Sequence, residues 1–210
     1  VNGSGGPSNE RFTIWGGALV VVAGILMLLD RGGASVMLDP GYVFVFWGTI
    51  ARIATAIALC AGFVGVAFGR RRGTHLTGSS RGGPWLLTLF GSVLALDTII
   101  LVATRGATAV GWVLLEVVQI AAAVGGLWAA RAVYRARVAD KSTRVLLVAA
   151  TTISAVFTLL EMIPSQGALA AANTVAFLFA LSLIALGVSV VIDGKRARVR
   201  SRIELIRERW

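Results

Sequence analysis

Residues 46–60 read FWGTIARIATAIALC, an apolar stretch interrupted by a single arginine, Arg52. The run around it extends from Tyr42 to Gly69. That is more than the ~20 residues needed to cross a bilayer core at about 1.5 Å per residue. A charge inside such a run costs about 2.5–3.5 kcal/mol on insertion scales, so Arg52 requires a partner or a route to water. How the rest of the chain treats this problem decides the fold.

Five further apolar runs flank it: Thr13 to Leu29, Pro84 to Ala103, Thr108 to Val133, Val145 to Ile163 and Leu169 to Ile192. The composition agrees, with 57% hydrophobic and only 14% charged residues. A soluble domain is nearer one quarter charged. The first run exceeds an ordinary signal-peptide core and is read as a retained span. None of the runs alternates apolar and polar residues as barrel strands do. In lipid each must be helical, because a helix satisfies its backbone groups internally. The sequence therefore predicts an all-α integral membrane protein, a bundle of six transmembrane helices. Residues 1–12 are expected to be a disordered N-terminal segment. Residues 13–192 form the six-span domain, and 193–210 a basic tail.

The loops carry the orientation signal. GRRRGTHLTGSSRGG, RAVYRARVADKSTR and DGKRARVRSRIELIRERW follow the second, fourth and sixth runs. The intervening loops hold few positive charges. By the positive-inside rule, both termini face the cytoplasm, and the expected location is a bacterial plasma membrane. Trp15, Trp47, Trp85, Trp112 and Trp128 fall near span ends, as an interfacial belt requires. The formal charge of +10 is explained by these loops and by anionic lipid, so no nucleic-acid partner is expected. Arg196, Arg198, Arg200 and Arg202 alternate just after the last run, as contacts for anionic lipid or for a partner protein. The small residues of GFVGVAFG (62–69) and IAAAVGGLWAA (120–130) mark expected helix-packing faces.

Four ionisable residues lie inside the runs: Arg52, Asp97, Glu116 and Glu161. Alternating direction places all four in the same half of the bilayer. The expected solution is an internal polar cluster in which Arg52 meets Asp97, Glu116 or both. Gln119 follows Glu116 by one helical turn, and Thr55 follows Arg52 in the same way, so each extends the patch. Three acids against one base leave room for a protonatable carboxyl. Glu161 is the shallowest member and precedes a break at Pro164.

Cys60 and His75 are the only residues of their kinds. They allow neither an intrachain disulfide nor a bis-histidine haem or multi-histidine zinc site. No cofactor, metal site or catalytic residue is expected, and His75 is read as a solvated loop residue. There is no phosphate-binding loop and no hydrolase triad, so an enzyme is the least supported class. Two functions remain. One is a small transporter or channel for a cation or protons, built on the Arg52 cluster. The other is a non-catalytic accessory or scaffold subunit, contacting a membrane-protein partner or a second copy of itself.

Overall fold

The computed structural model describes residues 8–36, 42–71, 74–78, 82–104 and 109–207. Helices α1 (Ser8–Val36), α2 (Tyr42–Phe68), α3 (Gly83–Thr104), α4 (Ala109–Ala136), α5 (Lys141–Glu161) and α6 (Gln166–Arg207) account for nearly all of it. Between α2 and α3 lies a minimal antiparallel hairpin, β1 (Arg70–Arg71) and β2 (Thr74–His75). Among the described residues, six helices are long and apolar enough to cross a membrane. Residues such as Ile25, Leu29, Ile57, Val113, Val117 and Leu159 are exposed on the outside of the bundle. An apolar exterior of this extent suits lipid, not water.

Each helix packs against its neighbours in sequence, and α6 returns to α1. The result is a closed ring. Neighbours run antiparallel: Gly24 meets Ala180 while Gly194 meets Ile14, and Phe63 meets Gly91 while Phe68 meets Trp85 edge to face. One end of the ring therefore carries the start of α1, the end of α6 and the hairpin; we call it the terminal end. The other is the distal end.

Glycine on two faces of α1 sets how closely the ring closes. A Cβ at Gly16 would lie 2.5 Å from Val66 N, and one at Gly17 would lie 2.9 Å from Gly187 O. These are backbone atoms that cannot rotate away, so α1 sits directly against α2 and α6. Gly62, Gly65 and Gly69, singled out in the sequence, form the α2 side of this contact. In the second small-residue stretch, Gly126 of α4 accepts the ring of Phe90 from α3.

The terminal half is filled by large side chains. Phe63 and Phe90 meet edge to face with centroids 5.2 Å apart, surrounded by Val20, Leu87, Leu183 and Val190. Leu76, just after the hairpin, is 3% exposed and belongs to this cluster. The loop does not simply hang in solvent; it turns back and stops the terminal mouth of the ring with Leu76. The turn uses Gly78 at φ +72°, a conformation that costs glycine little. His75 is correspondingly half-buried instead of solvated, and its Nδ1 is buried without a hydrogen-bond partner among the described residues.

Three boundaries differ from the sequence reading. Helix α1 begins at Ser8, inside the segment expected to be disordered; residues 1–7 lie outside the described ones. The same helix continues past Leu29 to Val36, which turns Asp30 from a loop residue into a helical one. Helix α6 runs unbroken from Gln166 to Arg207, so the basic tail is the same helix as the last span. Gly194 is the local stop signal after Ile192, but it is packed against Ile14 of α1 and the helix runs through it into an arginine-rich stretch that favours helix. At its start, the Ser165 hydroxyl accepts from Ala168 N at 3.1 Å, a serine N-cap placed directly after Pro164.

Candidate functional site

In the distal half the bundle opens into a cavity of about 100 Å³ to which all six helices contribute. Helix α1 supplies Met27 and Asp30, and α2 supplies Arg52, Thr55 and Leu59. Helix α3 adds Leu94, Asp97 and Thr98. From α4 come Gln119 and Ala122, from α5 Ser154, Phe157 and Thr158, and from α6 Ala176 and Phe179. A water needs roughly 10–15 Å³ by this measure, so the space admits several.

Arg52 does have a carboxylate partner, but it is Asp30. Arg52 Nε donates to Asp30 Oδ2 at 3.0 Å, with 40% and 20% of the two side chains exposed. Asp97 borders the same cavity, as expected of a clustered acid, and so does Thr55. Glu116 does not. It lies exposed on the outer side of α4, because Leu115 occupies the buried position one turn before Gln119. The inward seam of α4 runs through Leu115, Gln119, Ala122, Gly126 and Ala129, the spacing of one helical face. Glu116 falls about 100° away from Leu115 on that helix. Arg52 was expected to meet Asp97, Glu116 or both; Asp97 shares its cavity, Glu116 lies on the outer surface, and Asp30 is a carboxylate bonded to it.

Gln119 is 8% exposed, and its Nε2 donates to Glu161 Oε2 at 2.7 Å. Glu161, the last residue of α5, is therefore tied to the cavity through Gln119 while remaining exposed itself. The cavity threonines hold a common posture. Thr55, Thr98 and Thr158 each donate to the carbonyl one turn back, at 2.8, 3.1 and 3.1 Å. Their oxygens retain lone pairs.

A second polar cluster, absent from the sequence reading, lies at the terminal end. Asp193 of α6 is 3% exposed. Its Oδ2 accepts from Thr143 Oγ1 at 2.6 Å and from Asp140 N at 3.2 Å. Asp140 is the N-cap residue of α5, but its own side chain makes no capping bond. Asp193 instead accepts the N–H of the N-cap residue from the neighbouring helix, placing a carboxylate at the positive end of the α5 dipole. Ser189 sits one turn before Asp193 and contacts Thr143 at 2.8 Å and Ser142 at 3.2 Å. The Asp140 carboxylate instead faces Arg196 Nη1 at 3.7 Å. The signal that could have found this cluster is the i, i+4 spacing of Ser189 and Asp193 opposite Ser142 and Thr143.

Of the tail arginines, Arg196 is exposed and Arg198 half-buried. The side chains of Arg200 and Arg202 lie outside the described residues, as do those of Trp47 and Trp112. Trp15, Trp85 and Trp128 are 69%, 65% and 68% exposed, all on the outside of the terminal half. No family model, curated protein or solved structure matches the chain.

Proposed function

We propose that the protein is a small transporter that admits a proton or small cation to the distal cavity, with Asp97, Asp30 and Arg52 as its polar centre. The observation that carries this reading is the cavity itself, bordered by two carboxylates and a guanidinium from three helices. Charged groups within membrane helices are costly unless paired or facing a water-filled space, and they recur along ion pathways. The stopper at Leu76 supports a transporter over an open channel, since it fills the axis beyond the cavity. The experiment is flux into liposomes carrying the purified protein and a trapped pH indicator. Asp97→Asn is expected to lower proton or cation flux at least tenfold, whereas Glu116→Gln, on the outer surface, leaves it unchanged. Equal flux in Asp97→Asn and the parent protein overturns the reading.

The proposed setting is a bacterial plasma membrane with both termini in the cytoplasm, supported by the arginines at the terminal end. Introduced cysteines test this in a Cys60→Ala background. Ser165→Cys should react with an impermeant maleimide on intact cells, and Ser142→Cys only after permeabilisation. The reverse pattern inverts the topology.

An accessory-subunit reading draws on a different observation, the continuation of α6 beyond its apolar part as a basic helix. It is tested by gentle extraction and mass spectrometry. A stoichiometric partner that is lost when residues 196–207 are removed favours it.

A further inference from the structure

We propose that the distal cavity binds a small primary ammonium ion, an R–NH3+ group on a compact apolar body. The inference deepens the transport reading by naming a ligand class. It rests only on that reading's use of the cavity as a ligand site, not on flux.

The argument is the balance of donors and acceptors. The hydroxyl hydrogens of Thr55, Thr98 and Thr158 are committed to helix carbonyls, so these oxygens can only accept. The carboxyl groups of Asp30 and Asp97 add further acceptor oxygens. Gln119 gives one of its N–H groups to Glu161 and keeps its carbonyl oxygen. Among the described lining residues Arg52 is the cation; its Nε is directed at Asp30, and its Nη groups, the Ser154 hydroxyl and the second Gln119 N–H are the donors of the wall. Against them stand two carboxylates, three threonine oxygens and the Gln119 carbonyl, so acceptor lone pairs outnumber donors. An anion would meet mostly lone pairs. An ammonium group brings three N–H donors and a positive charge.

The remaining wall specifies the body. Met27, Leu59, Leu94, Phe157 and Phe179 present apolar surface, and two aromatic rings can favour a nearby cation. A bare metal ion would leave that surface unused and would need oxygens on all sides. Size sets the upper limit. A cavity of about 150 Å³ holds benzene, so one of about 100 Å³ suits a ligand of roughly four or five heavy atoms.

Isothermal titration of the purified full chain in detergent tests this directly. Methylammonium chloride should bind saturably, tetramethylammonium, which lacks N–H donors, at least tenfold more weakly, and sodium acetate without measurable heat. Asp97→Asn should weaken methylammonium at least tenfold. Thr98→Val keeps the shape and removes the lone pairs; it should weaken binding about threefold, and it carries the test if Asp97→Asn does not fold. Absence of saturable methylammonium binding overturns the proposal, as does equal affinity for tetramethylammonium or sodium, or unchanged affinity in Thr98→Val. Methylammonium binding without flux in liposomes leaves this inference standing and removes the transport reading. Proton flux without methylammonium binding does the reverse.

Discussion

At the terminal end Asp193 is 3% exposed, enclosed by Thr143, Ser189 and the start of α5. At the distal end Asp30 and Asp97 border about 100 Å³ of open space, with threonine hydroxyls turned to their own helices. The residue types are the same, carboxylates with Thr and Ser. What differs is whether a backbone terminus is there to receive the carboxylate. At the terminal end the Asp140 N–H at the start of α5 does so, together with the Thr143 hydroxyl, and the site closes as a structural cap. At the distal end the carboxylates project from helix interiors whose amides are already bonded. They are left to a side-chain partner, to water or to a ligand. A buried acid in a membrane bundle is thus a functional candidate in proportion to how little of the backbone it serves.

The strongest way to break the contrast is to force the terminal half apart. Gly16→Leu places a side chain against Val66 N and Gly62 O, which cannot move independently. We expect a loss of about 3 kcal/mol or more, read as failure to yield monodisperse protein in detergent. A well-folded Gly16→Leu would show that the glycine contact does not set the ring. Next comes the cap. Asp193→Ala removes the acceptor for Asp140 N and Thr143 and the charge at the α5 terminus; thermal denaturation should show a loss of about 1–3 kcal/mol. Ser189→Ala should cost clearly less, because Asp193 still holds Thr143.

The distal pair should respond more gently. Arg52→Leu strands Asp30, but both side chains retain access to solvent, so the loss should be about 1 kcal/mol, below the 3–5 of a fully buried pair. A double-mutant cycle should show coupling of Arg52→Leu with Asp30→Asn and none with Glu116→Gln. Coupling to Glu116 instead would contradict the register of α4. The smallest effect should be a gain. Gly167 lies in the first turn of α6, where an added Cβ meets nothing within 4 Å. Gly167→Ala should stabilise by about 0.5 kcal/mol, since only the glycine's entropy cost changes.

The six helices were legible in the sequence because each apolar run is long and each stands between polar loops. The half of the bundle that holds the charges was legible too, since alternating direction fixes depth along each helix. Partner identity was not. The sequence led to a cluster in which Arg52 meets Asp97, Glu116 or both; Arg52 and Asp97 border one cavity, and Arg52 bonds to Asp30, which looked like the first residue of a loop. Hydropathy falls at a charge whether or not the helix ends there, and α1 does not end there. Glu116 shows a different limit. It and Leu115 are adjacent in sequence, and only the rotation of α4 in the ring decides which one turns inward. Asp193 was hidden for the same reason as Asp30, at the junction of an apolar run and a basic segment that proved to be one helix.

That helix has a mechanical consequence. Its 42 residues make a rod about 63 Å long, roughly twice the thickness of a hydrocarbon core. Ala176 and Phe179 near one end form part of the cavity wall, Asp193 grips α5 further along, and the rod then continues to Arg207. About 20 Å separates Phe179 from Asp193, and about the same distance again separates Asp193 from the tip. Between those points α6 lies directly against α1, at Gly187 beside Gly17 and at Ala180 beside Gly24, so the cavity wall and the basic tip belong to one braced, continuous element.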